Sequence, residues 1–440
     1  MRLFSCSACQ QLVFFDNVRC TNCGHALAYL PDHRILSAIE PFDGNGKLST
    51  ETLYVALSPA AAGSFYRLCK NDVQYAACSW LVCADDPHEL CESCRLNEVV
   101  PELERPGALV EWHKVERAKR RLLYTLSELR LPVESREQRA QGGLAFAFMA
   151  DGDHGHEKVM TGHADGLVTI NIAEADHPFR EQMRKDMGEA YRTLLGHFRH
   201  EVGHYYWDRL IRDARFLPHF RALFGDERLD YGVAMKRYYE RGAQPGWGRS
   251  FVSAYATMHP WEDWAETWAH YLHMVDTLGT ARAYGVVLRP KPIDGRREPA
   301  VVARKLDFED FDSLIAGWIA LTVALNSLNR SMGQVDPYPF VLKEVAIHKL
   351  RFVHEVIEHW QDDDATLDEV LTRWPEVSLA EPAPEHVNWE QSSELTASVE
   401  EQVDNAVQQQ DEPLGEALPS ATTERGGELA SPRNDDGPAA

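Results

Sequence analysis

Positive charge is the first thing this 440-residue chain lacks: 68 acidic residues against 45 basic ones leave a formal net charge of −23. Broad binding to phosphate backbones needs clustered Lys and Arg, so nucleic acid is not expected as the general partner. Long hydrophobic runs are also missing. The longest, Leu314 to Leu325, has 12 residues, against the roughly 18 to 20 that span a bilayer, and no membrane span is expected. The opening MRLFSCSAC has neither the apolar stretch nor the small-residue cleavage site of a secretory signal, which points to the cytoplasm. Cysteine is absent from the last 346 residues, because all nine lie between positions 6 and 94. In a reducing compartment such clustered thiols hold metal more often than they form disulfides.

What is present is ordinary for a folded protein. With 44% hydrophobic and 10% aromatic residues, wholesale disorder, collagen-like repeats and a purely coiled-coil chain are excluded. The length predicts several modules.

The first module carries Cys6-x2-Cys9-x10-Cys20-x2-Cys23. Each CxxC pair forms a tight turn that aims two sulfurs at one ion, and two such turns close a tetrahedral zinc shell. About thirty residues bury too little apolar surface to fold alone, so metal supplies the folding free energy. His25 is expected to face water. A second cluster holds Cys69, Cys78, Cys83, Cys91 and Cys94, one more than a tetrahedral ion takes. Cys91 and Cys94 form the closing CxxC. Cys69 and Cys78 are taken as their partners, which leaves Cys83 as a small buried apolar residue.

Periodicity predicts a helix from Val110 to about Leu131, linking these modules to the main domain, with Lys119, Arg120 and Arg121 on a solvated face. Strands are predicted at Leu144 to Met149 and within Leu167 to Asp176. A long amphipathic helix follows from Phe179 to about Phe216, with further helices at about 259–282, 308–332 and 340–360. A few strands followed by many helices is an α+β arrangement, mostly helical with a small β-sheet. Residues 381–440 hold 14 acidic residues and two arginines with no periodic apolar pattern. Expected modules are therefore 1–30 (zinc ribbon), 31–105 (second cysteine-rich zinc module), 106–378 (main domain) and 379–440 (disordered acidic tail).

The chemistry lies in HEVGH, His200 to His204. Positions i and i+4 share a helix face, so His200 and His204 can offer ring nitrogens to one ion while Glu201 faces its bound water. Catalytic zinc needs a third protein ligand and leaves the fourth position to water. Leu210 stands where an extended metzincin motif would place histidine, so a carboxylate further along is favoured. The segment HPWEDWAETWAHYLH offers Glu262, Asp263 and Glu266. With Glu262 on the metal, Glu266 one turn later could accept from a ligand imidazole. His154, His156, His163, His259, His270, His273, His348, His354 and His359 are read as packing, surface or core-edge residues.

HEVGHYYWD and SAYATMHPWEDWAETWAHYLH, preceded by GLVTINIAEAD and the two cysteine clusters, resemble the bacterial zinc-binding metallopeptidases that carry an N-terminal zinc ribbon. The likeness covers roughly residues 1 to 375. Its second motif is also similar to that of the gluzincins, thermolysin and anthrax lethal factor among them. The resemblance implies a zincin-like metallopeptidase domain, with Glu262 as the zinc ligand and Glu266 as support for a ligand histidine. In lethal-factor-like enzymes a tyrosine lies seven residues before the glutamate ligand. Here that is Tyr255, implied to stabilise the oxyanion. The 57 residues between His204 and Glu262 depart from the thermolysin spacing, so substrate-binding residues do not transfer from it.

The expected activity is peptide-bond hydrolysis, with Glu201 as general base. The cofactor is Zn2+, one catalytic and one or two structural ions. Strand Leu167 to Ile172 is expected to form the cleft's upper edge and pair with an extended peptide or protein substrate. The zinc modules are expected to recruit a protein partner. Two other readings are a non-catalytic zinc-ribbon adaptor with a structural or vestigial HEVGH site, and proteolysis steered to nucleic acid by the ribbon.

Overall fold

Two cysteine knuckles open the chain in the computed structural model, which describes residues 2–42, 49–153, 158–186, 189–291 and 301–374. β1 (Phe4–Ser5) and β2 (Leu12–Val13) pair antiparallel across the first knuckle. Each knuckle turns through a left-handed residue, Gln10 at φ 65° and Gly24 at φ 78°. Gln10 N–H donates to the Cys6 carbonyl and Gly24 N–H to that of Cys20, at 2.8 and 2.9 Å. Glycine makes the second turn at little steric cost.

β3 (Ala26–Leu30), β4 (Ile35–Pro41), β5 (Leu53–Ala56), β6 (Phe65–Leu68) and β7 (Leu81–Cys83) then form an antiparallel meander in chain order. Helix α1 (Lys70–Tyr75) joins β6 to β7. β8 (Asn97–Val99) leaves this sheet and pairs in parallel with β9 (Ala145–Met149) of the next one. The cysteine-rich segment therefore lends a strand to the domain that follows.

Between them runs α2 (Ala108–Glu128), which buries Trp112, Val115, Leu122 and Leu126. Of its basic run only Arg121 is half-exposed, paired with Asp16; the other two residues are not on a solvated face. Lys119 is fully buried and Arg120 nearly so. Glu116, also fully buried, accepts from Asn97 Nδ2 at 2.6 Å and from Lys119 Nζ at 3.1 Å. Arg120 donates to the Ala77 carbonyl at 2.6 Å and lies 3.6 Å from Glu116. Buried cations persist only where anions and carbonyls surround them. Here Glu116 comes from the same helix and the rest from residues 77 and 97, which helical periodicity does not reveal.

The second sheet adds β10 (Gly162–Ala164) and β11 (Leu167–Asn171) in the order β10-β11-β9-β8. β11 pairs antiparallel with β10 and in parallel with β9. The segment expected as the cleft's free edge is thus an interior strand, and β10 takes the edge.

The helix expected over 179–216 is two pieces, α3 (His177–Asp186) and α4 (Leu194–Leu210), and a separate helix α5 (Leu217–Phe224) follows. Thr193 restarts the helix as an N-cap, its hydroxyl accepting from Gly196 N–H at 3.0 Å. Pro218 suits only the first turn of a new helix. After α6 (Tyr231–Arg241) comes α7 (Pro260–Tyr284), with His259 as N-cap, Pro260 in the first turn and Gly285 at φ 66° closing it. The short hairpin β12 (Val287–Leu288) and β13 (Val301–Val302) precedes α8 (Phe311–Ser331), α9 (Glu344–His359) and α10 (Asp364–Leu371). By length and composition alone α8 could cross a bilayer, yet it packs Phe311, Leu314 and Trp318 into the core.

This is the expected α+β arrangement. Residues Met1–Ala383 form one compact unit, in which one hydrophobic cluster runs from Cys6 and Cys69 through Trp112 to Val202, Trp268 and Leu350. His154, His156 and the tail expected over 379–440 lie outside the described residues.

Candidate metal centre

The site exists because α4 and α7 cross at a glycine. A Cβ on Gly203 would sit 3.0 Å from Ala265 Cα and 3.3 Å from Trp268 Cβ, so only glycine lets the backbones meet this closely. Trp264 Nε1 locks the crossing by donating to the Gly203 carbonyl at 2.9 Å. HEVGH on α4 then faces the first turns of α7, whose N-terminal dipole favours Glu262 and Asp263.

His200, His204 and Glu262 each bring one donor atom, and all three lie within 4.8 Å of one another. Glu262 reaches His200 Nε2 at 2.9 Å through Oε2 and His204 Nε2 at 3.4 Å through Oε1. Ligands of a tetrahedral zinc at about 2.0–2.2 Å stand roughly 3.3 Å apart, so this donor set fits that ion. Glu266 accepts from His200 Nδ1 at 2.7 Å, which leaves Nε2 as the metal-directed nitrogen, and takes the Ser253 hydroxyl at 2.5 Å on its other oxygen. Among the described residues His204 Nδ1 has no partner.

Electrostatics match the geometry. Burial would push the Glu262 carboxyl up, yet His204 and His200 hold it well below the usual carboxylate range. The same opposition holds Glu266 at about 2, through His200 and Ser253. Burial opposes charge on His200 too, but its hydrogen bonds to Glu262 and Glu266 raise it. Glu201 is buried beside them, and burial raises its carboxyl above the ordinary value.

Tyr255 lies beside this centre, its ring 5.9 Å from that of His200. Two further residues at the centre escaped sequence reasoning. Tyr231 donates its hydroxyl to Glu262 Oε1 at 2.9 Å. His163, on edge strand β10, stacks on the His204 ring at 6.2 Å and is kept neutral by burial and by His204, its pKa lowered to about 3. The turn signal around His163 was visible; its alignment over His204 depends on the β10–β11 register. Of the other histidines, His259 caps α7, His270 bonds Tyr338, and His354 is fully core, bonded to Tyr271 at 2.9 Å.

Both cysteine sets assemble. Cys6, Cys9, Cys20 and Cys23 form one group, and Cys69, Cys78, Cys91 and Cys94 another that is buried throughout. Closest sulfur pairs stand 3.6 Å apart in the first and 3.5 Å in the second. A tetrahedral shell with Zn–S of about 2.3 Å places sulfurs about 3.8 Å apart, so both fit zinc. N–H donors aim at the sulfurs, Asn22 at Cys9 and the Trp80 backbone at Cys78, each at 3.4 Å. His25 does not simply face water: it bridges Cys23 Sγ at 3.3 Å and Glu40 at 2.9 Å. Cys83 stands apart, half-buried beside Asp32 rather than fully buried, its thiol pushed up to about 11 by burial.

Residues 108–356 match the family model described as "Putative zinc-binding metallo-peptidase", and residues 3–105 match that of a zinc-ribbon domain. Uncharacterized proteins of Mycobacterium bovis and of two Mycobacterium tuberculosis strains are 42% identical over 364 residues, covering 82% of this chain and 97% of each relative. No solved structure matches the chain.

Proposed function

Since this chain belongs to the zinc-binding metallo-peptidase family and carries a zinc ribbon ahead of that domain, we propose that it hydrolyses peptide bonds at the His200–His204–Glu262 centre. The observation that carries this reading is the convergence of those three donor atoms within 4.8 Å, with the buried Glu201 on the same helix. Zinc held there would acidify a bound water and polarise the scissile carbonyl.

The chain's own residues do the rest. Glu201 takes the water proton, its carboxyl raised by burial, and returns it to the departing amine. Glu266 fixes the tautomer of His200, so that Nε2 presents its lone pair. Tyr255, whose phenol burial keeps protonated, donates to the oxyanion as it forms. β10, the edge strand next to β11, offers main-chain groups to an extended peptide, which gives affinity with little sequence preference.

The cysteine modules would hold the scaffold and present a surface to a protein partner. Glu201 tests the chemistry: the zinc-loaded Glu201→Gln protein should keep its metal and lose cleavage of denatured casein. Wild-type rates in that variant would remove the general base and the mechanism with it.

A further inference from the structure

Tyr231 reaches the centre from α6, and α6 differs from the helices around it. None of its eleven residues is buried. The segment carrying it runs from Gly225, at φ 100°, to Gly242 and Gly246, at 73° and 74°. No atom lies within 4 Å of where a Cβ would stand on the last two, so backbone conformation rather than space explains glycine there.

Side-chain tips hold α6 down. The Tyr231 hydroxyl donates to Glu262 Oε1, and its ring meets those of His259 and Trp261 at 5.4 and 6.3 Å. Two turns on, Tyr238 stands edge-on to Tyr255 at 5.6 Å. Val233 and Tyr239 face outward, 62% and 61% exposed.

We propose that α6 is a lid latched by Tyr231 over the metal centre. A helix with no buried residue opens at low cost, and this one is hinged on residues in glycine conformations. The oxygen that Tyr231 binds is the one that also faces His204 Nε2. A peptide carbonyl arriving between these groups must therefore displace the phenol, and α6 swings out with it. The gating role rests on the peptidase reading; the latch itself rests on geometry alone.

Trypsin reads the latch on the full-length protein, with or without zinc. Lys236, Arg237 and Arg241 are exposed on α6, and cutting there tracks the open population. Tyr231→Phe should speed cleavage at these bonds about tenfold, the decade that about 1.4 kcal/mol supplies. Rates at other sites and the melting temperature should hold, and Tyr239→Phe should behave as wild type. Unchanged cutting in Tyr231→Phe, or an equal rise across the whole chain, overturns the latch. Saturating acetohydroxamate on the zinc-loaded wild type should also speed cutting at these bonds, and should add nothing in Tyr231→Phe. If Tyr231→Phe accelerates cleavage while acetohydroxamate leaves the wild type unchanged, the latch stands and the peptidase reading of the centre fails.

Discussion

Gly203→Ala is the sharpest probe of how the fold makes the site. The new Cβ would stand 3.0 Å from Ala265 Cα, 3.3 Å from the Ala265 carbonyl oxygen and 3.3 Å from Trp268 Cβ. Carbon atoms rest about 3.5–4.0 Å apart, so α7 must back away from α4 by roughly 0.5 Å or more. Two of those atoms are backbone, which leaves no side chain to rotate aside. Overpacking of this kind costs about 1–3 kcal/mol. Replacing a mid-helix glycine returns about 1 kcal/mol of helix propensity, so the net loss should be about 0–2 kcal/mol.

The functional loss should exceed the structural one. Glu262 and Glu266 flank Ala265 on the displaced helix, whereas His200 and His204 stay on α4. The shift therefore opens the 2.9 Å and 2.7 Å contacts that His200 makes with the two glutamates. Zinc affinity at the histidine centre should fall by at least about tenfold, while the cysteine sites, remote from this crossing, keep their metal. Urea unfolding followed by tryptophan fluorescence gives the stability, and chelator competition gives the affinity. A Gly203→Ala protein with wild-type stability and wild-type zinc affinity would refute the close crossing as the organiser of the site.

Three further expectations follow from single contacts. Glu266→Ala removes the acceptor that orients His200 and should weaken zinc at that centre by about 10–100-fold, again by chelator competition. Lys349→Ala strands Asp263, fully buried and bonded to Lys349 Nζ at 2.5 Å, and should cost about 3–5 kcal/mol in urea unfolding; a loss under 1 kcal/mol would show the pair to be idle. His270 is buried and its pKa is lowered from 6.5 to about 4 by burial. The unfolded chain then binds the extra proton between those values, so His270 contributes stability that is fully present above pH 6.5 and is lost as pH falls toward 4, by up to about 3 kcal/mol. His270→Asn, which can still reach Tyr338, should unfold with a shallower acid dependence over that window; an unchanged slope would contradict the assignment.

Local spacing made part of this molecule readable. CxxC pairs and HEVGH offer candidate ligands because a knuckle and a helical turn fix short-range geometry, whereas spacing left Glu262, Asp263 and Glu266 as candidates and the resemblance chose among them. What stayed hidden depends on distant partners. Lys119 and Arg120 look solvated until Glu116, Asn97 and Ala77 close around them. β11 looks like an edge until β10 pairs with it. The amphipathic run from Phe179 conceals a break, where Thr193 caps a new helix. Tyr231 carries no motif at all: it is placed by the Asp230 cap of α6, whose side chain accepts from Val233 N–H.

Zinc per chain, counted by elemental analysis in the wild type and in His200→Ala, tests the central claim most directly. The two cysteine sets and the histidine centre predict three zinc ions falling to two, with the fold retained. Two zinc ions in both proteins would leave the histidine centre without metal and contradict the account.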